Sequence, residues 1–241
     1  MGSTVAFAED STVNTANGQL SGNIGVVSKY IYRGGVENDD LTIQGGLEYA
    51  HKSGISVGYW GSTLDYDMTD ESHKRGFEHD FYVAYSKEIN SDWKVKLQST
   101  AYYYQDGGTV HADNGDHRKT LAYDLLTAVS YKDLSLSATV MLSDAVYANA
   151  GDTYLSAAYS YALPKDFALN ASVGGTAYNS SGDDALMLTT QDFSFNEARL
   201  GLSKSFENTG LNASVDYVFG GEDRVGESFD DHVVVALNYS F

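Results

Sequence analysis

Four histidines stand near acids or hydroxyls and raise the question of chemistry. They are His51 in His51-Lys52-Ser53, His79 beside Asp80, His111 in His111-Ala112-Asp113, and His117. A histidine and a serine side by side could supply the base and nucleophile of a hydrolase, as in outer-membrane phospholipase A. The loop histidines, with Asp106, Asp113 and Asp116, could hold a divalent metal. Neither arrangement is complete. His51-Lys52-Ser53 sits among turn residues, and adjacent residues of an alternating segment, such as His79 and Asp80, point to opposite faces. The loop residues match no zinc or EF-hand spacing. The expectation is no enzyme, no cofactor and no metal site. A larger set of charges lies at alternate positions of apolar segments: Lys29, Arg33, Glu48, Glu78, Asp80, Lys94, Lys96, Asp124, Asp144, Glu197, Arg199 and Asp216. These are the candidate pore-lining residues, provided that the segments form the wall of a barrel.

The composition supports such a wall. The 241-residue chain has 24 Gly, 19 Tyr, 13% aromatics and one proline. Its mean hydropathy is −0.31, and no apolar run approaches the length of a membrane helix. A transmembrane β-barrel combines these traits, because lipid-facing residues alternate with polar lumenal ones. Alternation and turn residues predict about twelve antiparallel up-and-down strands, over 19–34, 41–51, 55–66, 77–88, 93–105, 119–132, 134–146, 153–164, 167–179, 193–207, 210–221 and 230–241. Short connectors alternate with long acidic ones, as periplasmic turns do with extracellular loops. Pro164 falls between strands, where it removes no ladder hydrogen bond. The absence of cysteine suits an exported protein. A net charge of −18 and a pI near 4.4 exclude nucleic acid as a partner.

Aromatic positions give a second line of argument. On these strand directions Tyr49, Tyr85, Trp93, Tyr131, Tyr161, Phe167, Phe206, Tyr239 and Phe241 gather near the short turns. Tyr30, Tyr32, Phe77, Tyr103, Tyr123, Phe193, Tyr217 and Phe219 gather near the long loops, making two membrane girdles. In the terminal segment Val233, Val235, Leu237, Tyr239 and Phe241 face lipid, while Val234, Ala236, Asn238 and Ser240 face the lumen. Residues 1–17, with Ala6 and Ala8 placed as in a signal cleavage site, read as a signal remnant or disordered N-terminus ahead of a barrel over 18–241. Arg199 and Asp216 are expected to pair across one hairpin. Twelve strands enclose a backbone radius of about 12 Å and leave about 10 Å of bore. Loop 106–118 is long enough to narrow it.

The segments Asn23-Ile24-Gly25-Val26-Val27-Ser28-Lys29-Tyr30-Ile31-Tyr32-Arg33-Gly34, Ile43-Gln44-Gly45-Gly46-Leu47-Glu48-Tyr49-Ala50-His51-Lys52-Ser53-Gly54 and Gly58-Tyr59-Trp60-Gly61-Ser62 resemble the TorF family of porin-like proteins. That resemblance implies an outer-membrane barrel and no particular substrate. Where the family has Pro-Ala before Gln-Gly-Gly, this chain has Thr42-Ile43, so its first loop is expected to end differently. Gly45 and Gly46 lack side chains, which would let inward Trp60 pack closely.

The sequence thus predicts a monomeric barrel in the bacterial outer membrane. It would pass small hydrophilic solutes or ions passively, with a mild cation preference. The alternative is a closed barrel whose acidic loops serve adhesion or envelope integrity. Expected partners are outer-membrane lipid, lipopolysaccharide with its bridging cations, and the barrel assembly machinery, which would read Tyr239 and Phe241 as an assembly signal. Burying one ring contributes only about 1.5–3 kcal/mol, too little to decide the folding of so large a sheet. Deleting Phe241 should therefore lower the amount of assembled barrel in cells while leaving folded protein stable. Unchanged membrane levels would contradict the signal.

Overall fold

The computed structural model describes residues 13–70 and 72–241. Twelve strands, labelled here β1 to β12, form the wall. They are Gly18–Val27, Thr42–His51, Ile55–Leu64, Gly76–Glu88, Trp93–Tyr104, Ala122–Tyr131, Leu134–Met141, Thr153–Leu163, Phe167–Ala177, Phe193–Phe206, Leu211–Gly220 and His232–Ser240. Each pairs antiparallel with its sequence neighbours, and β12 returns to β1 with Tyr239 opposite Ile24. Phe241 extends this seam by exchanging backbone hydrogen bonds with Gly22 at 2.8 and 2.9 Å. The sheet has no free edge, so every strand can satisfy its backbone within the wall. Val13–Asn14 adds a short pairing onto β1, so residues 13–17 fold back on the barrel. The rest of the suggested signal remnant, 1–12, lies outside the described residues.

Alternation sorts the two faces. Ile24, Val26, Leu47, Val57, Phe81, Val83, Leu97, Leu155, Leu200, Val215, Val235 and Leu237 are all exposed on the outside, whereas Val234 and Ala236 are each only 8% exposed on the inside. Trp93, Tyr131, Tyr161, Phe206, Tyr239 and Phe241 ring the short-turn end of the outer face, and Tyr103, Tyr123, Phe193, Tyr217 and Phe219 the loop end. Tyr30 and Tyr32 do not join that outer ring. The first strand stops at Val27, well short of the expected residue 34, and the chain turns inward.

That turn makes a separate hairpin, Tyr30–Tyr32 against Gly35–Asn38. Its two central residues, Arg33 and Gly34, have φ of 50° and 86°, the geometry of the tight hairpin turn that matches strand twist. Gly34 is required there, since a side chain would collide with the Asn196 carbonyl and the Phe229 ring. Arg33 has no such freedom, and its left-handed backbone costs about 1–2 kcal/mol.

The other long loops form a cap. Loop 105–121 is anchored on the neighbouring loops. It makes its own hairpin, Thr109–His111 with His117–Lys119, and sends Arg118 sideways. The buried Arg118 guanidinium donates from Nε to Asp184 at 2.8 Å, and from its terminal nitrogens to the carbonyls of Ala145, Ala148 and Gly182 at 2.9, 3.1 and 2.5 Å. Arg224 pairs with Asp152 in the same layer, and Asn149 donates to Asn179 O and Asp183 at 2.8 and 2.7 Å.

Two loop carboxylates hold turns within this cap. The Ala185 N–H and the Asn114 side chain keep the Asp116 carboxyl below its usual range of about 3.8. The backbone N–H of Thr69 does the same for Asp67. Lowered values mean that their support is present above the ordinary carboxylate pKa and is lost as pH falls through the lower folded values. Loop protease resistance should therefore hold down to about pH 4 and weaken below it. Arg118→Ala removes charged hydrogen bonds worth about 1.5–3 kcal/mol each. Cleavage within 105–121 and 178–192 should accelerate in that variant at neutral pH, while the closed wall should still migrate differently on gels before and after boiling. Loops as resistant as wild type would contradict the clamp.

Candidate functional site: the occupied bore

The hairpin crosses the bore from wall to wall. At its start, Tyr30 donates its hydroxyl to Glu78 on β4 at 3.1 Å and meets Trp60 of β3 edge-on with ring centroids 5.7 Å apart. Ile31 packs on Val218 of β11 and Val234 of β12. The Ile31 carbonyl accepts from Arg199 on β10 at 3.0 Å. At the tip, the Gly34 N–H donates to Glu197 of β10 at 3.1 Å, and the Arg33 guanidinium lies over the Tyr154 ring of β8 at 4.7 Å. On the return, Asn38 donates to the Thr63 carbonyl at 2.9 Å and Tyr66 donates to Glu37 at 2.5 Å.

Glu197 is the nexus. Its carboxylate takes the Gly34 N–H, both Nε and Nη2 of Arg199 at 3.1 and 2.7 Å, and the Tyr154 hydroxyl at 3.3 Å. The carboxylate lies beside a bulge. Gly174 pairs with Glu197 and Gly175 with Phe195, which leaves Asn196 as an extra residue on β10. The insertion shifts the phase of alternation. Asn196 and Glu197, though adjacent, are therefore both buried inside.

The bore has two unlike halves. Towards the loops it is packed: Tyr30, Leu64, Tyr102, Tyr104, Ala122, Met141, Ala145 and Ala148 form one buried cluster, flanked by Tyr32, Trp60, Tyr66, Met68 and Tyr147. The acids there serve the tyrosines. Glu78 accepts from Tyr30 and Tyr104, and Asp124 accepts from Tyr102 at 2.6 Å. Asp80 is 1% exposed, and its Oδ1 has no hydrogen-bond partner. Trp60 sits opposite Gly46, with Cδ1 3.5 Å from where a side-chain carbon would begin. Towards the short turns the described residues leave the interior polar and open. Glu48 accepts from Tyr82 and Ser56 at 3.1 and 3.3 Å, Lys96 is half-buried, and Lys94 is exposed. Between the halves lies a cavity of about 60 Å³, lined by Tyr32, Arg33, Thr100, Asp124, Tyr154 and Glu197 among others.

Several expected positions shift. Lys29 is not on a strand of the wall. It follows the end of β1 and pairs with Asp39 of the same loop. Asp144 is not on the wall either, because β7 ends at Met141, and it stands exposed in the next loop, accepting from Ala150 N at 2.8 Å. Arg33 is lumenal, but on the hairpin tip and not on a strand. Arg199 and Asp216 do not pair. Register sets Asp216 opposite Gly201 and Arg199 opposite Val218, so Arg199 turns to Glu197, and Asp216 accepts from Ser214 at 3.1 Å.

The histidines resolve into structural roles. His51 Nδ1 and the Ser53 hydroxyl are 2.9 Å apart, and the same nitrogen accepts the Ser53 N–H at 3.1 Å, which closes an exposed turn. His79 is on the outer face, 2.9 Å from the Tyr59 hydroxyl among Phe77, Phe81 and Tyr103. His111 and His117 stack with centroids 5.7 Å apart. Among the described residues, no three His, Asp or Glu side chains converge as metal ligands.

Removing the Glu197 carboxylate should free the hairpin tip, since it strands both Arg199 and the Gly34 N–H. Glu197→Ala is expected to raise the protease sensitivity of 30–38 by an order of magnitude or more, on the scale of about 1.5–3 kcal/mol per charged hydrogen bond. Unchanged sensitivity would show that the tip is held by packing alone.

The chain belongs to the family described as "Bacterial protein of unknown function (Gcw_chp)", whose model matches residues 12–241. No curated protein matches it by sequence. Among solved structures it is similar to KdgM porin, at TM-score 0.54 and 10% identity over 92% of this chain and 99% of that one. KdgM porin in complex with disordered oligogalacturonate matches at TM-score 0.53 and 10% identity, covering 92% and 98%. NanC porin matches at TM-score 0.50 and 12% identity, also covering 92% and 98%. At such identities the likeness is one of fold: a twelve-stranded barrel of the outer-membrane porin type.

Proposed function

We propose that this member of the family lies in a bacterial outer membrane and acts as a non-enzymatic, porin-like channel for small hydrophilic solutes or ions, with the Tyr30–Asn38 hairpin as its constriction. One observation carries the reading. A closed wall, apolar outside and polar inside, is obstructed by a short hairpin that polar contacts hold in place, above a half that the described residues leave open. The hairpin also favours the second reading, a closed barrel serving adhesion or envelope integrity, because the loop half of the bore is packed.

The finer features remain proposals of the same kind. Net charge and the exposed loop acids favour a mild cation preference for simple ions, although Glu78, Asp124 and Glu197 are engaged in local hydrogen bonds and Asp80 is buried, so they contribute little to it. Similarity to the TorF family, monomeric assembly through the Tyr239 and Phe241 signal, and contact with lipopolysaccharide fit the barrel and its girdles. The oligogalacturonate of the KdgM complex belongs to that protein. Here a cavity of about 60 Å³ suits only small solutes.

Planar-bilayer recording separates the two readings. Wild type should conduct weakly, and replacing 30–38 with a Gly-Ser linker should raise unit conductance severalfold towards that of a bore of about 10 Å. If neither protein conducts, the closed-barrel reading stands instead. In a salt gradient the reversal potential should show cation preference that fades above about 0.1 M salt, where the Debye length is about 10 Å. Clear anion selectivity would overturn that preference.

A further inference from the structure

Two groups facing the central cavity keep hydrogen-bonding capacity that the barrel and the hairpin's attachment do not use. The first is Arg33. Its guanidinium is flanked by the Tyr32 and Tyr154 rings at 4.8 and 4.7 Å. Among the described residues it makes no ion pair, although Asp124 and Glu197 line the same cavity. Arg118, Arg199 and Arg224 all have carboxylate partners. Arg33 also occupies a left-handed turn position where asparagine would be at ease. The chain accepts that strain and spends the side chain on two ring contacts, with no carboxylate partner among the described residues. Stacking between two rings fixes the plane of the guanidinium and leaves its edge, a fork of N–H donors, to face the cavity.

The second group is Asp124. It is 2% exposed. Its Oδ2 accepts from Tyr102 at 2.6 Å, whereas its Oδ1 is buried with no hydrogen-bond partner. The Thr100 hydroxyl, opposite Asp124 in register, also interacts with the carboxylate, but no donor lies within hydrogen-bond distance of Oδ1. A buried carboxylate oxygen without a donor is costly and calls for one.

We propose that the cavity is a solute subsite for a small carboxylate bearing a hydrogen-bond donor on the adjacent carbon, that is, a 2-hydroxy or 2-amino acid. The carboxylate takes the Arg33 fork in two parallel hydrogen bonds. The neighbouring hydroxyl or ammonium donates to Asp124 Oδ1. With the hairpin in place, about 60 Å³ admits the carboxyl-bearing end of such a solute. The assignment rests on the reading of the barrel as a solute channel, and it adds local recognition to the weak field of the mouth.

Titration calorimetry on the folded, detergent-solubilised protein tests it with four probes: lactate, alanine, propanoate and 1,2-propanediol. Lactate, alanine or both should bind saturably, and which of them binds identifies the donor as hydroxyl or ammonium. Propanoate, which lacks the donor, should bind about tenfold or more weaker, and the diol, which lacks the carboxylate, should not bind. Arg33→Asn keeps a residue suited to the turn and should weaken binding at least about tenfold. Asp124→Asn should erase the preference over propanoate. Absence of saturable binding by wild type, equal binding by Arg33→Asn, or propanoate binding as well as lactate would overturn the subsite. The comparison of the four probes on wild type needs no variant to fold. Conductance without binding would sink the subsite alone, whereas binding without conductance would sink the channel reading.

Discussion

The carboxylate of Glu197 is the point on which the interior depends. Gly34 lies at the tip of a turn with a buried N–H that no strand can accept, and a buried donor must find an acceptor. Arg199 brings a positive charge into the barrel and needs an anion. Tyr154 brings a hydroxyl. One carboxylate meets all three, so β8, β10 and the hairpin are tied at one place. A two-stranded hairpin alone in water is marginal at best. Fixed at Glu197, at Glu78 through Tyr30, and on Val218 and Val234 through Ile31, it becomes part of the barrel's interior.

The same constraint explains the asymmetry of the bore. Twelve strands enclose more space than inward side chains of ordinary length can fill. At the loop end the excess is taken up by the hairpin and by tyrosines, whose rings supply apolar area while their hydroxyls reach the inward acids. Glu78 and Asp124 thereby act as acceptors for a packed aromatic core. At the short-turn end no segment of the described residues enters, and Glu48, Lys94 and Lys96 stand in its polar interior. The cavity between Arg33 and Asp124 marks the boundary of these regimes.

The wall was legible in the sequence because alternation is its physical cause. A strand between lipid and lumen must change polarity at every residue, and the exposed Val233, Val235 and Leu237 against the buried Val234 and Ala236 follow that rule directly. The hairpin was not legible by the same rule. Tyr30 and Tyr32 continue the outward positions of β1 set by Ile24 and Val26, so the pattern runs on after the chain has left the wall. The overlooked signal is Arg33-Gly34, a two-residue turn between short apolar runs. Asp144 fails on both counts: the strand stops at Met141, and the alternation of the exposed Leu134, Leu136 and Leu142 would have turned it outward in any case. The Arg199–Asp216 pairing failed on register, which alternation alone does not set. Alternation with Arg199 sets Glu197 inward, but no residue pattern announces the bulge that brings the adjacent Asn196 inside as well.

The central claim, that the first long loop lies inside the barrel, is open to a direct measurement. The chain has no cysteine, so single cysteines at Ile31 and Leu41, which are 5% and 70% exposed, can be compared in intact cells with a membrane-impermeant maleimide. The account predicts prompt labelling at 41 and very slow labelling at 31. Equal rates at the two positions would contradict it, since they would place Tyr30–Asn38 outside the barrel.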